Sequence, residues 1–232
     1  MNTLWNRIVI LAAGLIFLPA IALADNSGWY IAADIGQSHF PNLAAPAAQF
    51  FNPYTATYTN NDTGYRLTAG YQFNSYWGLE ASYVALGESG ATDNIVVNQT
   101  VLGLGSLSCG YLCSTDYNVN AKLKAHGWTV AVTGTYPFTD KWAVFGRAGV
   151  IDARVELDVN EIPDGGGVPG TPSETNSSSM NWKGTYGLGA SWAFVENWAL
   201  RLDWDRYANL GDNSKTGTYN VNLASLGIVY RF

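Results

Sequence analysis

Charged side chains are scarce in this chain: 12 Lys and Arg with 18 Asp and Glu make only 13% of its 232 residues. A water-soluble domain covers its surface with such groups. Their shortage beside nine Trp and 14 Tyr points instead to an outer surface that meets lipid. Among the few charges acids prevail, with a formal net charge of −6 and no basic cluster, which argues against nucleic acid as a partner. Cysteine and histidine number two each. Cys109 and Cys113 have no third and fourth Cys or His ligand nearby in sequence, so no metal centre is expected. No cofactor is expected either: Gly103-Leu104-Gly105 has neither a buried strand before it nor a helix after it, as a nucleotide loop would need. Long apolar runs are also missing. After Ala24 none approaches the roughly 18 to 20 residues of a spanning helix. If the mature chain is in a membrane, it is there as a closed barrel, because only helices and barrels satisfy every backbone donor and acceptor in lipid.

The N-terminus carries the marks of export. Arg7 supplies a positive n-region, Ile8 to Leu18 an apolar stretch, and Ala22-Leu23-Ala24 a small-residue cleavage site. Residues 1–24 are therefore read as a cleaved signal peptide and 25–232 as the mature domain; the alternative is an uncleaved anchor helix. Removing a segment with Arg7 and no acid makes the net charge one unit more negative.

What is present is alternation, punctuated by a cassette that occurs three times. Phe73-Asn74-Ser75-Tyr76-Trp77-Gly78-Leu79, Phe138-Thr139-Asp140-Lys141-Trp142-Ala143-Val144 and Phe194-Val195-Glu196-Asn197-Trp198-Ala199-Leu200 each read as a hairpin turn flanked by aromatics. Trp77, Trp142 and Trp198 then form an aromatic girdle at one membrane boundary. Period-two patterning predicts eight strands. They are Gly28–Ser38, Asp62–Phe73, Trp77–Gly87, Ala125–Phe138, Trp142 to about Asp158, Trp182–Phe194, one beginning at Trp198, and Thr218–Phe232. Four long connections alternate with the three short turns: His39–Asn61, a second running to about Lys124, Asn160–Ser179, and Asn209–Gly217. Short turns and termini on one side with long loops on the other are the arrangement of an outer-membrane barrel. The fold class is thus all-β, an eight-stranded antiparallel up-and-down transmembrane β-barrel, located in a cell outer membrane with both mature termini periplasmic.

Several spaced segments carry a family resemblance. Gly70-Tyr71-Gln72-Phe73-Asn74-Ser75-Tyr76-Trp77-Gly78-Leu79-Glu80, Tyr136-Pro137-Phe138-Thr139-Asp140, Arg201-Leu202-Asp203-Trp204, Asn209-Leu210-Gly211-Asp212 and Ser225-Leu226-Gly227-Ile228-Val229-Tyr230-Arg231-Phe232 together resemble the transmembrane domain of OmpA-like outer-membrane proteins. In many members a peptidoglycan-binding domain follows the barrel; that role is not implied for a chain ending at Phe232. The resemblance implies that a last strand ending in Tyr230 and Phe232 is read by the barrel assembly machinery. It also implies an acid and a base at Glu80 and Arg201, locked as an interior ion pair. A second charged couple of the family falls on Thr133 and Ser191 here, so no switch between alternative bridges is inherited.

From the strand phases, Asp34, Arg66, Glu80, Arg147, Arg201, Asp203 and Asp205 all point inward. An eight-stranded barrel has room for little beyond side chains, and lone charges there would be very costly, so they are expected to pair. Glu80 and Arg201 each lie three residues beyond a cassette Trp, which predicts that they meet at one depth. Cys109 and Cys113, exported together, are expected to form a small loop disulfide. His39 and His126 fall near the loop side without a recognisable Ser/Asp arrangement, so no catalytic residue is assigned. The functional reading is a mainly structural barrel, a monomer among outer-membrane lipid and lipopolysaccharide, with loops available for surface ligands. A narrow pore for ions or small solutes is the alternative, and a lipid-modifying enzyme the third.

Overall fold

A computed structural model describes residues 27–41, 57–99, 113–164, 173–212 and 217–232, giving the backbone course alone at 93–99, 113–119, 159–164 and 173–177. Residues 1–24, expected to be a signal peptide, and Cys109 of the expected loop disulfide lie outside the described residues. Of Cys113, only its place at the start of a strand is described.

Nine strands run through this part of the chain: β1 Gly28–His39, β2 Thr57–Thr59, β3 Asn61–Gln72, β4 Trp77–Gln99, β5 Cys113–Pro137, β6 Trp142–Asp164, β7 Ser173–Val195, β8 Trp198–Asp212 and β9 Gly217–Arg231. Eight of them form the wall in the order β4-β3-β1-β9-β8-β7-β6-β5, and pairing of β4 with β5 closes it. Every pairing is antiparallel. The short β2 lies against β4 only, Tyr58 opposite Ala91.

The cassettes are turns because their polar residues supply what a turn needs. In the first, the Asn74 side-chain oxygen accepts hydrogen bonds from the backbone N–H of Tyr76 and Trp77, at 2.8 and 2.9 Å. In the second, the Thr139 hydroxyl does the same for Lys141 and Trp142, at 3.3 and 2.9 Å. Asn and Thr favour turns through this local bonding. The third turn is tied to the last strand instead, the Asn197 amide donating to the Arg231 carbonyl at 2.8 Å.

Alternation along the strands separates two faces. In β1, Trp29, Ile31 and Ile35 are exposed, while Tyr30, Ala32 and Asp34 are buried. The outward aromatics collect at the turn end, where Trp142 stacks on Trp192 at 5.7 Å and Trp198 meets Tyr230 at 4.8 Å. A second set, including Tyr83 and Trp128 in contact at 5.2 Å, marks the other end of the apolar band. From Trp128 to Tyr136 on β5 is nine residues, and from Trp182 to Trp192 on β7 eleven. A tilted strand needs about 9–11 residues to cross a bilayer.

Beyond the upper aromatics four strands continue, and here the expected loop boundaries are corrected. The connection drawn to about Lys124 is largely strand, since β4 reaches Gln99 and β5 begins at Cys113. Asn160–Ser179 likewise contains the end of β6 and the start of β7, and His39–Asn61 contains β2. The reason is that above the membrane the outer face meets water, so the alternation inverts. Lys122 and Lys124 project outward there, while Leu123, Ala125, Val155, Val221 and Leu223 are buried inside. At Lys122 and Lys124, residues that read as loop are the wetted face of a strand.

Candidate functional site

Midway along the bore the seven inward charges converge. All are buried, Arg147 the most exposed of them at 7%. They are positioned by five strands: Asp34 on β1, Arg66 on β3, Glu80 on β4, Arg147 on β6, and Arg201, Asp203 and Asp205 on β8. Arg66 contacts Asp34 and Asp203 at 3.1 Å each, and Asp205. Arg147 contacts Glu80 and Asp205 at 3.3 Å each, and Asp203. Arg201 contacts Glu80 at 2.9 Å and Asp34 and Asp203 at 3.1 Å each. Every guanidinium thus touches three carboxylates, and every carboxylate at least two guanidiniums.

The Glu80–Arg201 contact spans the barrel. β4 and β8 are separated by β3, β1 and β9 one way and by β5, β6 and β7 the other, so they face each other across the axis. A 2.9 Å contact between opposite walls leaves no straight path between them. The two residues are not an isolated pair, because both share their partners with the rest of the network. Glycines on the inner wall make the room: a methyl added at Gly227 would fall on the Asp34 carboxylate, and one at Gly187 on that of Asp205.

Aromatic residues complete the site, and strand phase alone did not single them out. Tyr30 donates its hydroxyl hydrogen to Glu80 at 2.8 Å. The Phe145 ring lies under two guanidiniums, 5.3 Å from Arg147 and 5.7 Å from Arg201, a cation–π arrangement. An inward aromatic next to an inward arginine two residues away was the available signal.

The network has different neighbours on its two sides. Toward the turns lies a cavity of about 340 Å³, lined among others by Tyr30, Glu80, Thr133, Phe145, Ser191 and Arg201. Thr133 and Ser191 sit directly across their strands from Arg147 and Arg201, so the wall there holds hydroxyls. Toward the loops the bore is filled by an apolar cluster that includes Phe40, Val84, Leu86, Ile151, Tyr207 and Leu210.

The remaining sequence candidates stand apart. His39 is exposed on β1 with its Nδ1 2.6 Å from the Asn61 amide oxygen, and His126 is on β5 beside Tyr83. Above the lipid band, Glu88 takes Lys122 at 3.0 Å and Lys124 at 3.5 Å. The hydrogen bond from Lys122 is the main cause holding the Glu88 carboxyl below its ordinary value. Among the described residues no group of His, Cys, Asp and Glu is arranged to hold a metal ion.

The sequence pattern of the OmpA-like transmembrane domain matches residues 24–232. The chain belongs to this family. This OmpA-like barrel is 28% identical over 218 residues to outer membrane protein A of Klebsiella pneumoniae, a match covering 94% of this chain and 54% of that protein. It therefore spans about half the length of the curated relatives it matches. Among solved structures it is similar to Neisserial surface protein A at a TM-score of 0.44 and 14% identity, covering 90% of this chain and all of the other. It is also similar to the outer membrane protease OmpT of Escherichia coli, at 0.45 and 10%, covering 92% of this chain and all of the other. The OmpA-like barrel is a protein of the cell outer membrane, built as a closed antiparallel barrel of transmembrane strands.

Proposed function

We propose that this barrel is a closed structural element of the outer membrane that does not conduct, with its outer strands and loops serving as contact surface. The observation that carries the reading is the contact of Glu80 with Arg201 across the axis, inside a network in which each charge is held by several others. Small barrels fill their interiors with side chains, and the apolar cluster above the network adds a second, dry stopper. The turn-side cavity is the part a narrow pore would use, and it ends against the network. In this reading the turns and termini are periplasmic, the monomer is the working form, and lipopolysaccharide packs against the outer wall. The assembly machinery recognises the last strand through Tyr230 and Phe232. Catalysis has no part in it: incubation with lipid A or phospholipid should give no change in mass. Planar-bilayer recording is the direct test. The purified barrel should give no regular current steps at moderate voltage, and large uniform steps would overturn the closed reading.

A further inference from the structure

The interior network does not balance. Four carboxylates, Asp34, Glu80, Asp203 and Asp205, face three guanidiniums, Arg66, Arg147 and Arg201, which leaves one negative charge in excess. Uncompensated charge inside a membrane protein is very costly, and the remedy is a partner of opposite sign. Lys141 and Arg231 line the turn-side cavity together with Asp140 and Glu196, and among the described residues none of these four makes an ion pair with the network.

Two oxygens mark where a partner would rest. Glu80 Oε2 and Thr133 Oγ1 are both buried and both without a hydrogen bond, although Oε2 keeps an ion-pair contact with Arg147 at 3.3 Å. Both residues line the same cavity. They belong to neighbouring strands, Gly78 pairing with Thr133 and Glu80 with Ala131, so their inward side chains are diagonal neighbours. A carboxylate and a hydroxyl lining one cavity are ligands for a hard cation, which takes oxygen donors and fills its remaining positions with water.

We propose that a monovalent cation of the sodium or potassium class enters from the turn side and binds at Glu80 and Thr133, neutralising the network. A divalent ion is disfavoured because it would turn an excess of one negative charge into one positive. Bound in this way the ion closes the inner end of the cavity, and the barrel is most stable where such ions are plentiful.

The test is thermal unfolding of the refolded barrel in an uncharged detergent, followed by heat-modifiable gel mobility. N-methylglucamine chloride is replaced stepwise by sodium, potassium or magnesium chloride at constant ionic strength. The expected result is a saturable rise of roughly 2–4 °C with sodium or potassium and not with magnesium beyond its ionic strength. Glu80→Gln balances the network at three against three and should abolish the rise. Thr133→Val keeps the charge, removes one donor, and should raise the half-saturating concentration about fivefold. Should Glu80→Gln fail to fold, sodium-23 line broadening on the unaltered protein, reversed by potassium, gives the same answer. Equal melting in all salts, or an unchanged response in both variants, overturns the proposal. A response to pH with none to cation identity also overturns it, by assigning the compensating charge to a proton.

Discussion

Replacing Arg201 by Met is the sharpest probe of the interior. It removes three of the nine contacts in the network, those to Asp34, Glu80 and Asp203. None of the three acids is left wholly alone: Asp34 keeps Arg66 at 3.1 Å, Glu80 keeps Arg147 at 3.3 Å and Tyr30 at 2.8 Å, and Asp203 keeps Arg66 at 3.1 Å. Breaking a buried pair from one side costs about 3–5 kcal/mol. The surviving partners place the loss near the lower end, about 3 kcal/mol. Adding Glu80→Gln to Arg201→Met restores a network of three acids and two bases, the same excess of one as in the natural protein, and should recover part of that loss. A coupling of about 1–3 kcal/mol between the two sites is expected for residues in one network. The assay is urea unfolding of the barrel in lipid vesicles, read by tryptophan fluorescence for the four proteins of the cycle. A loss below about 1 kcal/mol for Arg201→Met, which is the range of an exposed ion pair, would refute the reasoning. So would strict additivity of the two substitutions.

Other expectations follow from single contacts. Gly227→Ala places a methyl on the Asp34 carboxylate, and such overpacking should cost about 1–3 kcal/mol in the same unfolding assay. Because the Glu88 carboxyl titrates below its ordinary value when folded, its pairing stabilises the barrel above that ordinary value. The contribution fades as pH falls through the folded one. The group is partly open to water, with 34% of its side chain accessible, so the advantage of the natural protein over Glu88→Gln should be under about 1 kcal/mol, vanish in acid, and shrink in high salt. Trp77, Trp142 and Trp198, each retained singly in an otherwise tryptophan-free barrel, should be quenched to the same depth by brominated lipids; widely different depths would break the strand registers. Deleting Phe232 should lower assembly yield in cells, and normal yield would remove its role as a signal.

Within the lipid band the fold was open to reading because lipid imposes one rule on every strand. Apolar residues face out, as Leu200 and Leu202 do, and whatever is polar between them must face in, as Arg201 and Asp203 do. The seven interior charges were therefore recognisable from phase alone. Who touches whom was not, because contacts across a bore join strands whose neighbours along the wall say nothing about them. Arg147 meeting Glu80 and Asp205 depends on how far each side chain reaches past the axis. The strand ends failed for a different reason. Above the band the same alternation continues with its polarity reversed, so Lys122 and Lys124 resemble loop residues although they alternate with buried Ala121, Leu123 and Ala125. Phase puts Tyr30 and Phe145 on inward faces, but that Tyr30 reaches Glu80 two strands away and that Phe145 lies under two guanidiniums depends on reach within the bore.

The four long strands have a consequence for how the outer end of the protein can vary. Four of the strands, β4 to β7, carry their pairing well past the bilayer, so much of what a passing surface would meet is a ruled sheet. Where that sheet backs onto the apolar cluster, a substitution at Lys122 changes what is displayed, whereas one at Leu123 changes whether the display stands. Between paired strands, a single inserted residue would exchange the two sets and turn the dry side outward. Diversity on this part of the molecule must therefore arise by exchange at every second position or by insertion in the connections at the tips.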